Sequence, residues 1–214
     1  MDRKLIKTET KNLLNENYPY FLKLFLVVFV LAVFVYIPTI CVSSANSFDD
    51  IDVWTSYDSL FLSMLLAIFA VSAQYAGIDI LKDKSKLTDP FKKCLIAFAN
   101  GQVFLGSVIV YLLIYVKTFL WTLVLIFPGI IKSMAYSQAL FIYRDHILAD
   151  DPIGYNEALR LSSKLMVGHK WDFFVFQLSF IGYWLLSIVT FGVASIWVIP
   201  YYHLSTANYY VHLI

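Results

Sequence analysis

The chain has 214 residues, of which 60% are hydrophobic and 14% charged, and its net charge is +1. The apolar share exceeds that of a soluble domain, and the balanced charge excludes a general affinity for nucleic acid. The hydrophobic residues form long blocks, several of which reach the roughly 20 residues that a helix needs to cross a membrane. The composition therefore predicts an all-α, polytopic membrane helix bundle.

The first part of the chain predicts a surface helix and two membrane spans. Residues 2–19 are polar with amphipathic spacing, so we expect a short helix on the membrane surface. Spans are predicted at 20–42 and 59–81, separated by an acidic loop without lysine or arginine. The first block lies too far along the chain, and is too long, for a cleavable signal peptide, so we expect it to remain as a span.

A continuous apolar run over residues 94–142 is too long for one helix. Lys117 interrupts it and is the expected tip of a tight hairpin. The run is therefore predicted to form a third span at 95–115 and a fourth at 119–142.

The last part predicts another surface helix and two more spans. Asp151 and Pro152 resemble an N-cap followed by a proline at the first helical position, so we expect an amphipathic helix there. The two remaining spans, joined by a short turn, are predicted at 172–190 and 193–213. The chain thus has six predicted spans arranged as three hairpins.

Lysine and arginine cluster in the N-terminal tail, in the 82–93 loop and in the 143–170 segment, whereas the other connections carry only Lys117. The positive-inside rule therefore predicts a protein of the cytoplasmic membrane with both termini in the cytoplasm. Basic residues at this face attract anionic lipid headgroups. The basic residues expected to contact these headgroups are Lys82, Lys84, Lys86, Lys92, Lys93, Arg160 and Lys164.

The chain is predicted to form a single integral membrane domain, residues 1–214, with a threefold internal pattern. Residues 4–81, 88–142 and 153–214 are three candidate repeats, each a surface helix followed by a hairpin. Pathways often lie at the interfaces between membrane repeats. Alternatively, the likeness reflects only how any chain enters a membrane from the cytoplasm.

Pro128 and Gly129 interrupt the predicted fourth span, and Lys132 follows them. A broken helix leaves carbonyl groups free to coordinate an ion or substrate, whereas the alternative is a kink that improves packing. A lysine at this depth is costly, so it either faces a partner or snorkels. Asp79 is the acidic residue in another span that could pair with Lys132, through water.

A second polar stripe lies on the predicted sixth span, where Tyr201, Ser205, Asn208 and His212 share one helical face. Hydrogen bonding between helices is the alternative role for this stripe. The candidate intramembrane site comprises Pro128, Gly129, Lys132, Asp79, Tyr201 and Asn208.

No catalytic motif and no His/Cys cluster with metal spacing occurs in the sequence. We therefore expect no catalytic residue, no metal and no cofactor. The expected partners are membrane lipids, or alternatively a membrane protein or a second copy of the chain.

Three stretches of the second half are distinctive: Leu-Ile-Phe-Pro-Gly-Ile-Ile-Lys at 125–132, Glu-Ala-Leu to Met-Val-Gly at 157–168, and the Thr-Phe-Gly turn at 190–192. They resemble a family of bacterial integral membrane proteins, the domain of unknown function 975. The resemblance implies a multi-pass protein of the cytoplasmic membrane without a defined activity. It also implies a distant similarity to the membrane domain of some glycerophosphodiester phosphodiesterases.

These observations favour a non-enzymatic membrane module that binds lipid or a partner protein. One alternative is a small transporter or permease component that uses the Pro128 break with Lys132. A further alternative is an immunity or membrane-stress protein.

Overall fold

A computed structural model describes residues 2–44, 53–82, 87 and 89–214, and every regular element within them is a helix. The all-α prediction is confirmed. In chain order the helices of these residues are α1 (Arg3–Glu16), α2 (Tyr18–Ser44), α3 (Val53–Lys82), α4 (Pro90–Cys94), α5 (Gly101–Val124), α6 (Ile126–Tyr136), α7 (Ala139–Leu148), α8 (Tyr155–Leu165), α9 (Lys170–Leu178), α10 (Ile181–Val189) and α11 (Ser195–Leu213).

Within the described residues, three helical segments are long and apolar enough to cross a membrane: Leu62–Lys82, Gly101–Val124 and Lys170–Val189. A fourth is added if Arg3–Glu16 and Tyr18–Phe34, which meet at an angle of 95°, count as one broken span. Length and composition thus support three or four of the six predicted spans.

The hairpin tip predicted at Lys117 is wrong. Helix α5 continues through Lys117 to Val124, and the chain turns at Leu125, whose φ of −159° and ψ of 140° are extended. Pro128 explains this position, because its ring would collide with the Val124 carbonyl in a continuous helix. As the third residue of α6, Pro128 also loses no intrahelical hydrogen bond. Lys117 instead donates a 2.7 Å hydrogen bond to Asn156 Oδ1 of α8.

The return arm of this hairpin is interrupted between α6 and α7, at Ser137 and Gln138. Ser162 of α8 bonds both sides of the interruption: its hydroxyl donates to the Ala135 carbonyl at 2.7 Å and accepts from the Gln138 N–H at 3.2 Å. Backbone groups in an apolar environment must be bonded within the protein. Ser162, which is fully buried, therefore stabilises an interruption that lies nine residues beyond Pro128.

A second interruption separates α9 from α10, at Ser179 and Phe180. Lys7 of α1 donates to the Ser179 carbonyl at 3.3 Å, and its ammonium lies 4.1 Å from the centre of the Phe180 ring. The predicted turn at 190–192 is confirmed, and Phe191 and Gly192 there have φ values of 50° and 88°.

Helix α8 begins later than predicted, at Tyr155 with Gly154 as its N-cap. Asp151, predicted as the cap, lies 3.1 Å from His146 Nδ1 instead. The buried residues of α8 are Ala158, Leu159 and Ser162. They face helices rather than lipid, because α8 packs against α5, α6 and α7.

We call α1, α4 and α8 the peripheral helices, and the α2–α3, α5–α7 and α9–α11 segments the first, second and third helix groups. Helix α4 contacts α2 and α3 of the first group, helix α8 contacts every helix of the second, and α1 contacts α11 of the third. Each peripheral helix thus packs against the helix group before it, with α1 packing against the last.

Replacing Ser162 with alanine should destabilise the fold by about 1–3 kcal/mol, because two buried backbone groups lose their partner. The measurement is the midpoint of thermal unfolding in detergent. Ser163→Ala, the neighbouring residue of the same type, is the matched control and should leave the midpoint unchanged. Equal midpoints for the two variants would show that the Ser162 bonds do not support the interruption.

Candidate functional site

Pro128 and Gly129 lie in the first turn of α6, beside the hairpin tip, rather than inside a long helix. The Leu125 carbonyl accepts a hydrogen bond from the Gly129 N–H at 3.3 Å, so this carbonyl is already bonded. A side chain at Gly129 would collide with Thr122 of α5, including its backbone. Glycine therefore permits close contact between α5 and α6, and the helix break predicted here within the fourth span is corrected to a hairpin end.

Lys132 is half-buried on α6 and lies against aromatic rings. Its ammonium is 4.9 Å from the centre of the Trp121 ring and 5.9 Å from that of Tyr136. An ammonium at these distances is attracted by the electron-rich face of an aromatic ring. This contact accommodates the charge of Lys132 between the two helices of the hairpin.

The predicted pair of Asp79 with Lys132 is replaced by a pair of Asp79 with Arg144. Arg144 Nη2 donates to both Asp79 carboxylate oxygens, at 2.7 and 2.6 Å, and its side chain is 3% exposed. Asp145 lies 3.8 Å from Arg144 Nη1 and 2.8 Å from Lys82 Nζ. We call these four residues, Asp79, Lys82, Arg144 and Asp145, the charge cluster; it is neutral and joins α3 to α7.

Two tyrosines complete the surroundings of the charge cluster. The Tyr75 ring lies 4.9 Å from the Arg144 guanidinium, and its hydroxyl donates to the Leu140 carbonyl at 3.2 Å. The Tyr210 hydroxyl donates to Asp145 at 2.9 Å. Sequence reasoning missed Arg144 because it was assigned to a polar connection. The sequence did contain a signal for this pair, because one apolar run ends at Arg144 and another ends at Asp79.

Tyr201 and Asn208 hold α1 against α11. Asn208 Nδ2 donates to the Ile6 carbonyl at 3.2 Å and lies 3.3 Å from Thr10 Oγ1. The Tyr201 hydroxyl donates to the Lys7 carbonyl at 3.5 Å. The geometry therefore supports hydrogen bonding between helices as the role of Tyr201 and Asn208.

The residues predicted to meet lipid headgroups occupy different environments. Lys82 belongs to the charge cluster, and Lys84 and Lys86 lie outside the described residues. Lys92 is an exposed residue 3.4 Å from Asp89, Lys93 is half-buried, and Lys164 is exposed.

Arg160 is exposed and forms a 2.5 Å hydrogen bond to Glu157 within α8. This bond holds the pKa of the Glu157 carboxyl below its usual range. The pair therefore stays charged at neutral pH, on the exposed side of α8.

An apolar groove of about 1030 Å³ lies between α2, α3 and the α10–α11 turn. Its walls include Phe29 of α2, Ala70 of α3 and Trp184 of α10, and His203 of α11 also lines it. A groove of this volume can hold a large ligand, and its apolar lining matches a ligand made of hydrocarbon. The sequence did not predict this groove, because His203 lies off the polar stripe and the other lining residues are typical of any membrane helix.

Residues 124–214 match the model of a family described as "Protein of unknown function (DUF975)". The match confirms the family predicted from the sequence for this part of the chain, from the end of α5 to α11. Its description names no activity and so assigns no role to the groove or the charge cluster. The similarity to the membrane domain of glycerophosphodiester phosphodiesterases stays a prediction. No curated protein and no solved structure matches the chain.

Replacing Arg144 with methionine should lower the stability of the protein by about 3 kcal/mol, because Asp79 is left without its partner. This value is at the lower end for buried pairs, since the Asp79 side chain is 35% exposed. The double variant Asp79→Leu with Arg144→Met should recover part of the loss, as thermal unfolding in detergent would show. Arg160→Met, which removes an exposed arginine, is the control and should have no effect. A double variant as unstable as the sum of the single changes would contradict the pairing.

Proposed function

We propose that this chain is a non-enzymatic module of the cytoplasmic membrane that holds lipid acyl chains in the apolar groove. The observation that carries the proposal is the groove itself. Its walls are built by α2, α3, α10 and α11, and two of its bordering segments, Leu62–Lys82 and Lys170–Val189, have the length and composition of membrane spans. Hydrocarbon is what surrounds such helices in a bilayer, so acyl chains are the occupant that matches the lining.

The proposed arrangement has six membrane arms: α2, α3, α5, the α6–α7 pair, the α9–α10 pair and α11. The α6–α7 and α11 arms are not among the segments that have the length and composition of membrane spans. Two observations nevertheless support them as arms. The interruption of the α6–α7 arm has its backbone groups bonded by Ser162, as burial in an apolar medium requires. The polar stripe of α11 is bonded to α1.

Both termini and the peripheral helices lie on the cytoplasmic side in this proposal. The positive-inside rule supports that side, because the basic segments adjoin the peripheral helices. Exposed lysines such as Lys164 remain available to anionic headgroups there. The order of one peripheral helix before each helix group, three times along the chain, supports the three candidate repeats.

The contacts described favour neither alternative function. The transporter hypothesis used a broken helix at Pro128 and a pair of Lys132 with Asp79. Pro128 lies at a hairpin end, and Asp79 bonds to Arg144. No contact among the described residues points to immunity against a peptide.

Filling the groove should release bound lipid. Ala70→Trp places an indole in the groove, so the protein released from its own membrane should carry fewer lipid molecules in native mass spectrometry. Leu123→Trp adds the same side chain at a position of α5 that is 69% exposed and outside the groove. It should retain the lipid of the unmodified chain. Equal lipid content in the two variants would exclude the groove as the binding site.

The proposed orientation predicts which residues face the cell exterior. In a chain whose Cys41 and Cys94 are replaced by serine, a cysteine at Phe191 should react with a membrane-impermeant maleimide on intact cells. A cysteine at Asp150 should react only after the cells are opened. Labelling of the Asp150 position on intact cells would show the opposite orientation.

A further inference from the structure

The groove contains an imidazole that is fixed on three sides. The side-chain amide of Gln74 contacts His203 Nδ1. The Phe25 ring stacks on the imidazole with centres 5.7 Å apart, and the Tyr202 ring meets it at 73° with centres 5.5 Å apart. The ring of His203 therefore has one defined orientation without any ligand.

The contact with Gln74 assigns the proton on this ring. Because the amide nitrogen of Gln74 donates to Nδ1, the neutral imidazole carries its hydrogen on Nε2. Nothing in the described part of the chain binds Nε2. His203 therefore offers the groove a preorganised N–H donor, which suits a ligand oxygen that accepts a hydrogen bond.

The depth of the Nε2–H donor in the groove determines which membrane molecules can accept its hydrogen bond. The outer end of the groove is lined by Phe191, which is 99% exposed in the turn before α11. His203 lies eight positions after Ser195, the first residue of α11, which is a rise of about 12 Å along the helix. A phospholipid keeps its ester oxygens near the membrane surface, so at this depth it offers only hydrocarbon. The matching ligand instead carries its oxygen within the hydrocarbon.

We infer that the groove binds an apolar molecule with a carbonyl oxygen at mid-membrane depth, of the chemical class of the isoprenoid quinones, and that His203 Nε2 donates to this carbonyl. The aromatic walls formed by Phe29 and Trp184 suit a planar ring, and the remaining apolar lining suits an isoprenoid tail. The inference rests on the proposed function, since it names the ligand of the same groove.

The test compares two probes in native mass spectrometry of the full chain: a naphthoquinone with two isoprene units, and the naphthalene with the same tail but no carbonyl groups. His203→Phe keeps a ring that stacks on Phe25 and removes the donor. This variant should bind the quinone about tenfold more weakly, which corresponds to the loss of one hydrogen bond. Its affinity for the naphthalene should equal that of the unmodified chain. His146→Phe, outside the groove, should bind both probes as the unmodified chain does.

A measurement on the unmodified chain covers the case in which His203→Phe does not fold. With ¹⁵N-labelled histidine, the quinone should shift the Nε2–H signal of one of the four histidines, and the naphthalene should not. Equal quinone binding by His203→Phe and the unmodified chain, or no shift, would overturn the inference. If the quinone fails to bind while Ala70→Trp still loses its phospholipid, the ligand class is wrong and the proposed function stands.

Discussion

Two helical segments of this protein, α6–α7 and α9–α10, are interrupted, and at each interruption a side chain from a peripheral helix bonds the backbone. Ser162 bonds the Ala135 carbonyl and the Gln138 N–H, and Lys7 bonds the Ser179 carbonyl. A backbone group without such a partner is costly in an apolar medium. The side chains of Ser162 on α8 and Lys7 on α1 therefore help to set the positions of these two peripheral helices against the bundle.

The same constraint explains how the charges are distributed. Arg144 is buried against Asp79, Lys132 lies on Trp121, and Lys117 bonds to Asn156. Each of these three charged side chains has a partner that offsets the loss of hydration. This distribution leaves the groove lined almost entirely by apolar side chains, with His203 as its titratable group. The polar groups of the interior are bonded to one another, whereas the groove is apolar. The groove is therefore the binding site to test.

The sequence predicted best the segments that are continuous apolar blocks. Spans expected at 59–81 and 172–190 correspond to Leu62–Lys82 and Lys170–Val189, which are long and apolar enough to cross a membrane, because the length of the apolar block determines such helices. It misplaced the tip at Lys117, whose partner Asn156 lies 39 residues away. The interruption at Ser137 and the orientation of His203 were missed for the same reason. Both depend on contacts with residues distant in the chain, which no local pattern contains.

The contact of α1 with α11 also orders the events of biosynthesis. Asn208 bonds to the Ile6 carbonyl across 202 residues of chain. Helix α1 is therefore made long before its partner exists. The Lys7 bond to the Ser179 carbonyl likewise forms only after the α9–α10 segment has been made. Helix α11 thus completes the docking of α1.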